Sequence, residues 1–400
     1  MTFAMQSNPH IINKRTTRSI MLELSGVIGV VALASIIYNF VARGSYYGLS
    51  ALLIIFLAVL FSSLCDALYA LPILCDKKEK DIKVKLKNWG IKILDSYGYV
   101  SGLIFALLLP VGASWYVVLV GSVIGTLIAK SLFGGFGKNV FNPAIAGRVF
   151  VQVCFPAALT VNLDPELGSI QTGSTFISDV ASKGWFTTEY NVSLGDMFLG
   201  NYSAALGETF GLILILALVY LIVRDIIDWR ISVTYLVTLF VISLLAALCG
   251  GLGANSFEFA LRMILGGGAL FGAVFCYTDP VTSPTSRCGK IIFALGGAIL
   301  TAMIRFQAAA IEGVAFSILL MNMLTPLIDK LLVSKQNKKL VVKAAVIGGI
   351  ALVGIAFGCV YGATHNINAT EPTTHHQEVR KDVKVISNSI VTLELEGEIL

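Results

Sequence analysis

Residues 48–72 read GLSALLIIFLAVLFSSLCDALYALP, twenty-five positions with one charge, Asp66, and no proline before Pro72. A helix rises ~1.5 Å per residue, so such a run crosses the ~30 Å hydrocarbon layer of a bilayer. Runs of similar length occur around 20–42, 114–133, 143–161, 208–224, 231–249, 258–277, 291–305, 312–332 and 341–361. Val100–Gly112 is shorter and ends in Leu109-Pro110; it reads as a broken or half-spanning helix, or as one that begins in the polar stretch before it. Composition agrees: 56% of residues are apolar, 13% are charged, and the mean hydropathy is +0.82. A soluble domain needs a more charged surface. The predicted fold is therefore an all-α polytopic membrane protein of ten or eleven transmembrane helices, some broken or half-length, with a small outer C-terminal tail.

The formal net charge of +5 is small and gathers on one side of that arrangement, which excludes a nucleic-acid binder. Basic residues in short loops mark the cytoplasmic face. Lys14, Arg15 and Arg18 place the N-terminus inside, and the loop carrying Lys77, Lys78, Lys80, Lys83, Lys85 and Lys87 follows two crossings later. If Val100–Gly112 counts as a crossing, Arg224, Arg230, Arg287, Lys290 and the group Lys330–Lys343 also fall inside. The polar segment 162–206, whose only basic residue is Lys183, then falls outside. The predicted divisions are a cytoplasmic N-terminus (1–19), a first bundle half (20–161), an outer loop (162–206), a second half (207–333), an extra helix (334–361) and an outer tail (362–400). No cleavable signal peptide is apparent, since the first apolar run is long enough to remain as an anchor. The end of the tail, Val383–Leu400, alternates apolar and polar residues as a half-buried strand does. The seven cysteines form no Cys-x-x-Cys pair and mostly lie in apolar runs, as small buried hydrophobes do; no metal site is expected.

Three polar stretches stand out. Thr172-Gly173-Ser174-Thr175 lies in the outer loop. It is either a plain turn or a modification site in which the Thr175 hydroxyl forms a phosphodiester and Gly173 lets a transferase approach. Phe133-Gly134-Gly135-Phe136-Gly137-Lys138-Asn139-Val140-Phe141-Asn142-Pro143-Ala144 interrupts two apolar runs, and Asp279-Pro280-Val281-Thr282-Ser283-Pro284 follows another. Both are tight turns or ligand-satisfied backbone, because freed amides and carbonyls at membrane depth need partners. Asn139 and Asn142 offer amides to the alternating donors and acceptors of an isoalloxazine edge. Ionisable residues near the membrane also need a reason. Glu23, Glu208 and Asp279 are candidates for the ion path, against interfacial or helix-terminal carboxylates as the alternative; Asp66 belongs to the same group. Arg305 either snorkels to the interface or binds a flavin phosphate.

In these stretches, and in Ser7-Asn8-Pro9-His10, Leu199-Gly200-Asn201, Gly207-Glu208-Thr209, Glu312-Gly313-Val314-Ala315-Phe316 and Pro326-Leu327-Ile328-Asp329, the chain resembles the D subunits of Rnf complexes. That family is paralogous to the B subunit of the sodium-translocating NADH:quinone reductase. The likeness covers about residues 7–330 in order. It implies FMN bound covalently at Thr175, with Thr172, Gly173 and Ser174 completing the attachment motif; Phe176 departs from the proline or alanine usual there. It further implies a non-covalent riboflavin near the cytoplasmic side, for which Asn139 and Asn142 are the carried-over residues; Asp279 and Thr282 are further cofactor-binding candidates. No residue is expected to be catalytic by itself. The implied role is a subunit of the inner (cell) membrane that passes electrons between reduced ferredoxin and NAD⁺, coupled to Na⁺ or H⁺ movement. Its implied partners are the A, B, C, E and G subunits of the Rnf complex, membrane lipid, and a flavin transferase for maturation. The helix within Lys343–Thr364 resembles the membrane anchor of the G subunit. Gly135-Phe136-Gly137 lacks the strand–turn–helix setting of a dinucleotide fingerprint, so the nucleotide is expected on another subunit. Two other readings stay open: the quinone-reducing paralogue, and a secondary transporter with broken helices and no redox cofactor.

Overall fold

The computed structural model describes residues 16–73, 81–159, 176–188, 190–202, 204–308, 313–332 and 340–366. In chain order the helices are α1 (Thr17–Ala42), α2 (Ser45–Tyr69), α3 (Ile82–Ser96), α4 (Gly98–Leu107), α5 (Trp115–Ser122), α6 (Pro143–Cys154), α7 (Pro156–Leu159) and α8 (Phe176–Lys183). They continue with α9 (Leu194–Leu199), α10 (Gly211–Val223), α11 (Trp229–Cys249), α12 (Ser256–Leu265), α13 (Ala269–Phe271), α14 (Arg287–Ala308), α15 (Gly313–Leu332) and α16 (Leu340–Thr364). There is no strand among the described residues. Two π-helical stretches, Val123–Ser131 and Gly272–Cys276, extend α5 and α13.

Among the described residues six helices (α1, α2, α11, α14, α15 and α16) are long and apolar enough to cross a membrane, and a seventh span forms if the α12–α13 pair, bent by 59°, counts as one. Leu33, Phe56, Val237 and Val353 point outward from these helices, the reverse of a water-soluble surface and suited to lipid. The predicted multi-pass, all-α architecture with broken helices is what the chain adopts.

Two details differ from the sequence reading. The lysine-rich stretch expected as loop forms, from Ile82 on, the helix α3, with Lys83 and Lys87 exposed and Lys85 half-buried. Val100–Gly112 is mostly the ten-residue α4, set off from α3 by Tyr97 at φ 53°. The backbone beyond α4 is satisfied from elsewhere in the chain: Gly207 N–H donates to Leu107 C=O at 2.7 Å and Leu206 N–H to Leu109 C=O at 3.0 Å. Irregular backbone inside a membrane protein survives only with such partners.

The break between α12 and α13 is built the same way. Gly266, Gly267 and Gly268 make it, with Gly267 and Gly268 at φ +61° and +71°. Arg305, 0% exposed, donates to the carbonyls of Met263 (2.6 Å), Gly266 (3.1 Å) and Gly267 (2.6 Å). Arg305 therefore neither snorkels to the interface nor stands ready for a phosphate; it caps the broken helix. Glu208 is not at a helix start either: α10 begins at Gly211, and the Glu208 carboxylate lies against Gly268, where a Cβ would collide with it.

At the chain's last described helix, Gly354, Gly358 and Gly362 form one stripe of α16 against α11. A Cβ at Gly358 would lie 2.9 Å from the carbonyl oxygen of Ile242, so the two backbones approach as only glycine permits.

Candidate cofactor cleft

The glycine-rich loop 133–142 and the turn 278–284 are far apart in sequence and meet at one cleft. Its empty space is about 740 Å³ when the open mouth is counted. Its walls are mainly apolar, from Ile20, Val100, Ile104, Ile227 and Phe275, and its polar groups come from Tyr97, Ser101, Lys130, Asn139, Asn142, Thr278 and Asp279. Among the described residues lining it, Lys130 is the one cation and Asp279 the one carboxylate.

Each loop is held by identifiable contacts. In the π-helical stretch Leu132 N–H reaches back five residues to Leu127 C=O (3.0 Å), and the Ser131 hydroxyl donates to Thr126 C=O (2.9 Å). Such wide turns recur at functional sites. The carbonyl of Lys130 then accepts the Gly135 N–H at 3.1 Å, folding the glycine loop back over the helix end. Gly134, Gly135 and Gly137 all have positive φ, which side chains resist. Phe136 packs edge-on against Tyr97, with centroids 4.9 Å apart.

Asn142 caps α6: its side-chain oxygen accepts from Ala144 N–H (3.1 Å) and Ile145 N–H (3.4 Å), with Pro143 at the first helical position. Its amide nitrogen donates to Cys276 C=O at 3.4 Å and so ties the two halves of the chain together. Both ends of this side chain are thus engaged in building the wall. Asn139, predicted alongside it, donates to Phe141 C=O at 3.0 Å.

On the opposite wall Asp279 accepts from Val281 N–H (3.1 Å) and from the Thr282 hydroxyl (3.3 Å). Desolvation raises its carboxyl above the ordinary range, against these two donors, which favour its charge. Thr282 does not line the cleft but holds its rim. It fixes Asp279, and its carbonyl accepts the Thr325 hydroxyl at 2.9 Å.

The structure also shows a pair that sequence reading missed. Lys130 and Asp66 are both 1% exposed, and the Lys130 ammonium lies 3.0 and 3.2 Å from the two Asp66 carboxylate oxygens. Lys130 sits in an apolar run, and an intramembrane cation requires a partner; that was the available signal. Gly98 makes room for it, because a Cβ there would strike the Asp66 carboxylate.

These residues make a mainly apolar cleft with polar groups at its edge. A scan against family models matches residues 4–338 to the NQR2, RnfD, RnfE family. The chain belongs to this family. Over 332 residues it is 31% identical to the D subunit of the Na(+)-translocating ferredoxin:NAD(+) oxidoreductase complex of Acetobacterium woodii, covering 82% of this chain and 93% of that relative. The D subunit of the proton-translocating ferredoxin:NAD(+) oxidoreductase complex of Clostridium ljungdahlii is 36% identical over 255 residues, 62% of this chain and 76% of that one. The D subunit of an Escherichia coli ion-translocating oxidoreductase complex is 28% identical over 366 residues, 82% of this chain and 96% of that one. This member of the NQR2, RnfD, RnfE family is accordingly a multi-pass membrane protein.

Glu23 and Glu208 do not line the cleft. Thr172, Gly173, Ser174 and Thr175 lie outside the described residues; α8 starts immediately after them. Ile177, two residues past Thr175, is buried near Gly267 at the α12–α13 break. That break is held by Arg305 near the end of α14, whereas the turn 278–284 lies by its beginning. With 22 residues, α14 spans about 33 Å, so α8 and the cleft stand at opposite ends of the bundle. Glu23 forms a two-point ion pair with Arg224 (2.8 and 3.3 Å) between α1 and the end of α10, and Glu208 is at the far end with the break. The three carboxylates proposed for an ion path, Glu23, Glu208 and Asp279, are therefore not brought into one cluster.

Proposed function

We propose that the chain is the flavin-carrying membrane subunit of a complex that moves electrons between reduced ferredoxin and NAD⁺ and couples this to Na⁺ or H⁺ translocation. FMN is attached through its phosphate to the Thr175 hydroxyl on the outer face, and a second, non-covalent flavin of the riboflavin type occupies the cleft. The observation that carries this reading is the meeting of the two family-like loops, 133–144 and 278–284, on one mainly apolar cleft.

The cleft opens at the end carrying Arg224, Arg230, Arg287 and Lys290, which by the positive-inside bias is cytoplasmic. The loop before α8 then lies on the outer side of the inner membrane. A bound flavin supplies one- and two-electron chemistry. The protein's share is placement. The apolar wall from Ile104 and Phe275 excludes water from the ring faces. Asn139 provides the amide for a ring edge, while Asn142 and Thr282 hold the two loops in register. Ferredoxin and nucleotide are bound by partner subunits, and a flavin transferase loads Thr175.

The test is in-gel flavin fluorescence of the denatured chain, together with the mass of the Thr175 peptide from the purified complex. A fluorescent band that disappears in Thr175→Ala, with the peptide heavier by one FMN less water, is the expected result. An unmodified peptide in an active complex rejects the attachment. Acid extraction of the complex is expected to release riboflavin as well; none released rejects the cleft ligand.

A further inference from the structure

Lys130 occupies two places at once. Its side chain lines the cleft, and its ammonium is buried on Asp66 of α2 with both carboxylate oxygens within hydrogen-bond distance. A buried pair of this kind is a weak contributor to stability by itself, and a hydrophobic pair of similar size often replaces it without loss. The fold nevertheless goes out of its way to keep it. Gly98 is required beside Asp66, and Gly102 one turn later lets α4 close on Ala58 and Ser62 of α2. The π-helical stretch carries Lys130 itself. No other cation among the described residues lines the cleft, and the one carboxylate there, Asp279, already receives two hydrogen bonds within its own turn.

We propose that Lys130 is a shared counter-charge: Asp66 neutralises it while the ligand in the cleft is neutral, and it turns toward the ligand when that ligand gains negative charge. This rests on the reading of the cleft as a flavin site. Reduction there adds two electrons, delivered singly by iron–sulfur donors of the complex, and one proton from solvent, giving a monoanionic ring. No bond to the protein forms or breaks. Lys130 keeps its proton and exchanges part of its hydrogen bonding from Asp66 to the ring's anionic edge. Lys130 is thus a positioning residue for charge, and Asp66 sets how much of that charge the cleft receives. In a low-dielectric site such a charge is felt strongly.

The two partners then act with opposite sign. In the purified complex, Asp66→Asn removes the competing carboxylate, so the midpoint potential of the non-covalent flavin should rise. The double variant Lys130→Met with Asp66→Asn removes the cation too and should fall below wild type. It should also lie below Asp66→Asn by about 30 mV or more, a tenfold change in the relative affinity for reduced over oxidised ring. Lys130→Arg should stay near wild type. A spectroelectrochemical titration reads these values without turnover. If Asp66→Asn does not assemble, the double variant against wild type still decides. Equal potentials overturn the inference, as does loss of the oxidised flavin from a folded double variant, which would show the pair holding ligand in both states. If the wild-type complex releases no non-covalent flavin, the reading of the cleft fails first and this inference with it. A bound flavin with unmoved potentials fails only the inference.

Discussion

Asn142 offers the sharpest test of how the cleft is held together, because its two functions separate by substitution. Its oxygen caps α6 and its nitrogen crosses to Cys276. Losing a cap costs about 1 kcal/mol, with a range of roughly 0.5–2. The cross-chain bond is long at 3.4 Å, so it merits the low end of the roughly 0.5–1.5 kcal/mol usual for a net hydrogen bond. Asn142→Ala should therefore destabilise the protein by about 1.5–2 kcal/mol. Asn142→Ser keeps a capping hydroxyl but is too short to reach Cys276, so it should lose about 0.5 kcal/mol. Thermal unfolding of the complex in mild detergent, followed by release of extractable flavin, ranks the three proteins. The expected order is wild type, Ser, Ala. A serine variant as damaged as alanine would refute the capping role, and an alanine variant indistinguishable from wild type would refute both.

Three further outcomes are expected. Asp228, the N-cap of α11, binds Lys290 at 2.8 Å. Burial opposes its charge, but hydrogen bonds from Lys290 and the Arg230 N–H, together with the charges of these same two residues, hold its carboxyl below the usual range. A depressed folded-state pKa means that this stabilisation is complete above about pH 4 and is lost as pH falls through the folded value. The stability gap between wild type and Asp228→Asn should thus be flat from about pH 8 to 5 and shrink below about pH 4; a gap that shrinks near neutrality would contradict the assignment. Gly362→Leu places side-chain atoms into the Ala246 carbonyl and should destabilise the seating of α16 by about 1–3 kcal/mol, seen as faster proteolysis after residue 340. Arg305→Met strands three carbonyls at the α12–α13 break and should cost about 3 kcal/mol or more, read as loss of assembled complex; unchanged assembly would show that the break is held by other contacts.

The apolar runs were legible because lipid imposes a length and a composition on each crossing helix. All the predicted runs contain helices, including 258–277, which breaks where Gly266–Gly268 interrupt it. What pattern reading misplaced was decided by contacts between distant segments. Apolarity continues past α4, yet the helix stops because Leu206 and Gly207 take over its carbonyls. The polarity of 82–96 suggested a loop, although the stretch is helical throughout. The gathering of Asn139, Asn142 and Asp279 at one cleft could be anticipated only from the family resemblance. The Lys130–Asp66 pair, 64 residues apart, has no local signature beyond a cation in an apolar run.

The close seating of α16 reaches beyond that helix. Its end is fastened by Tyr361, whose hydroxyl donates to Phe306 C=O at 2.7 Å, and by Asn366, whose amide donates to Cys249 C=O at 3.0 Å. Asn366, the last described residue, therefore sits beside the ends of α11 and α14. The two bonds close the final turn of α16 over both neighbours, so tilting that helix away would break its hold on α11 and α14 at once.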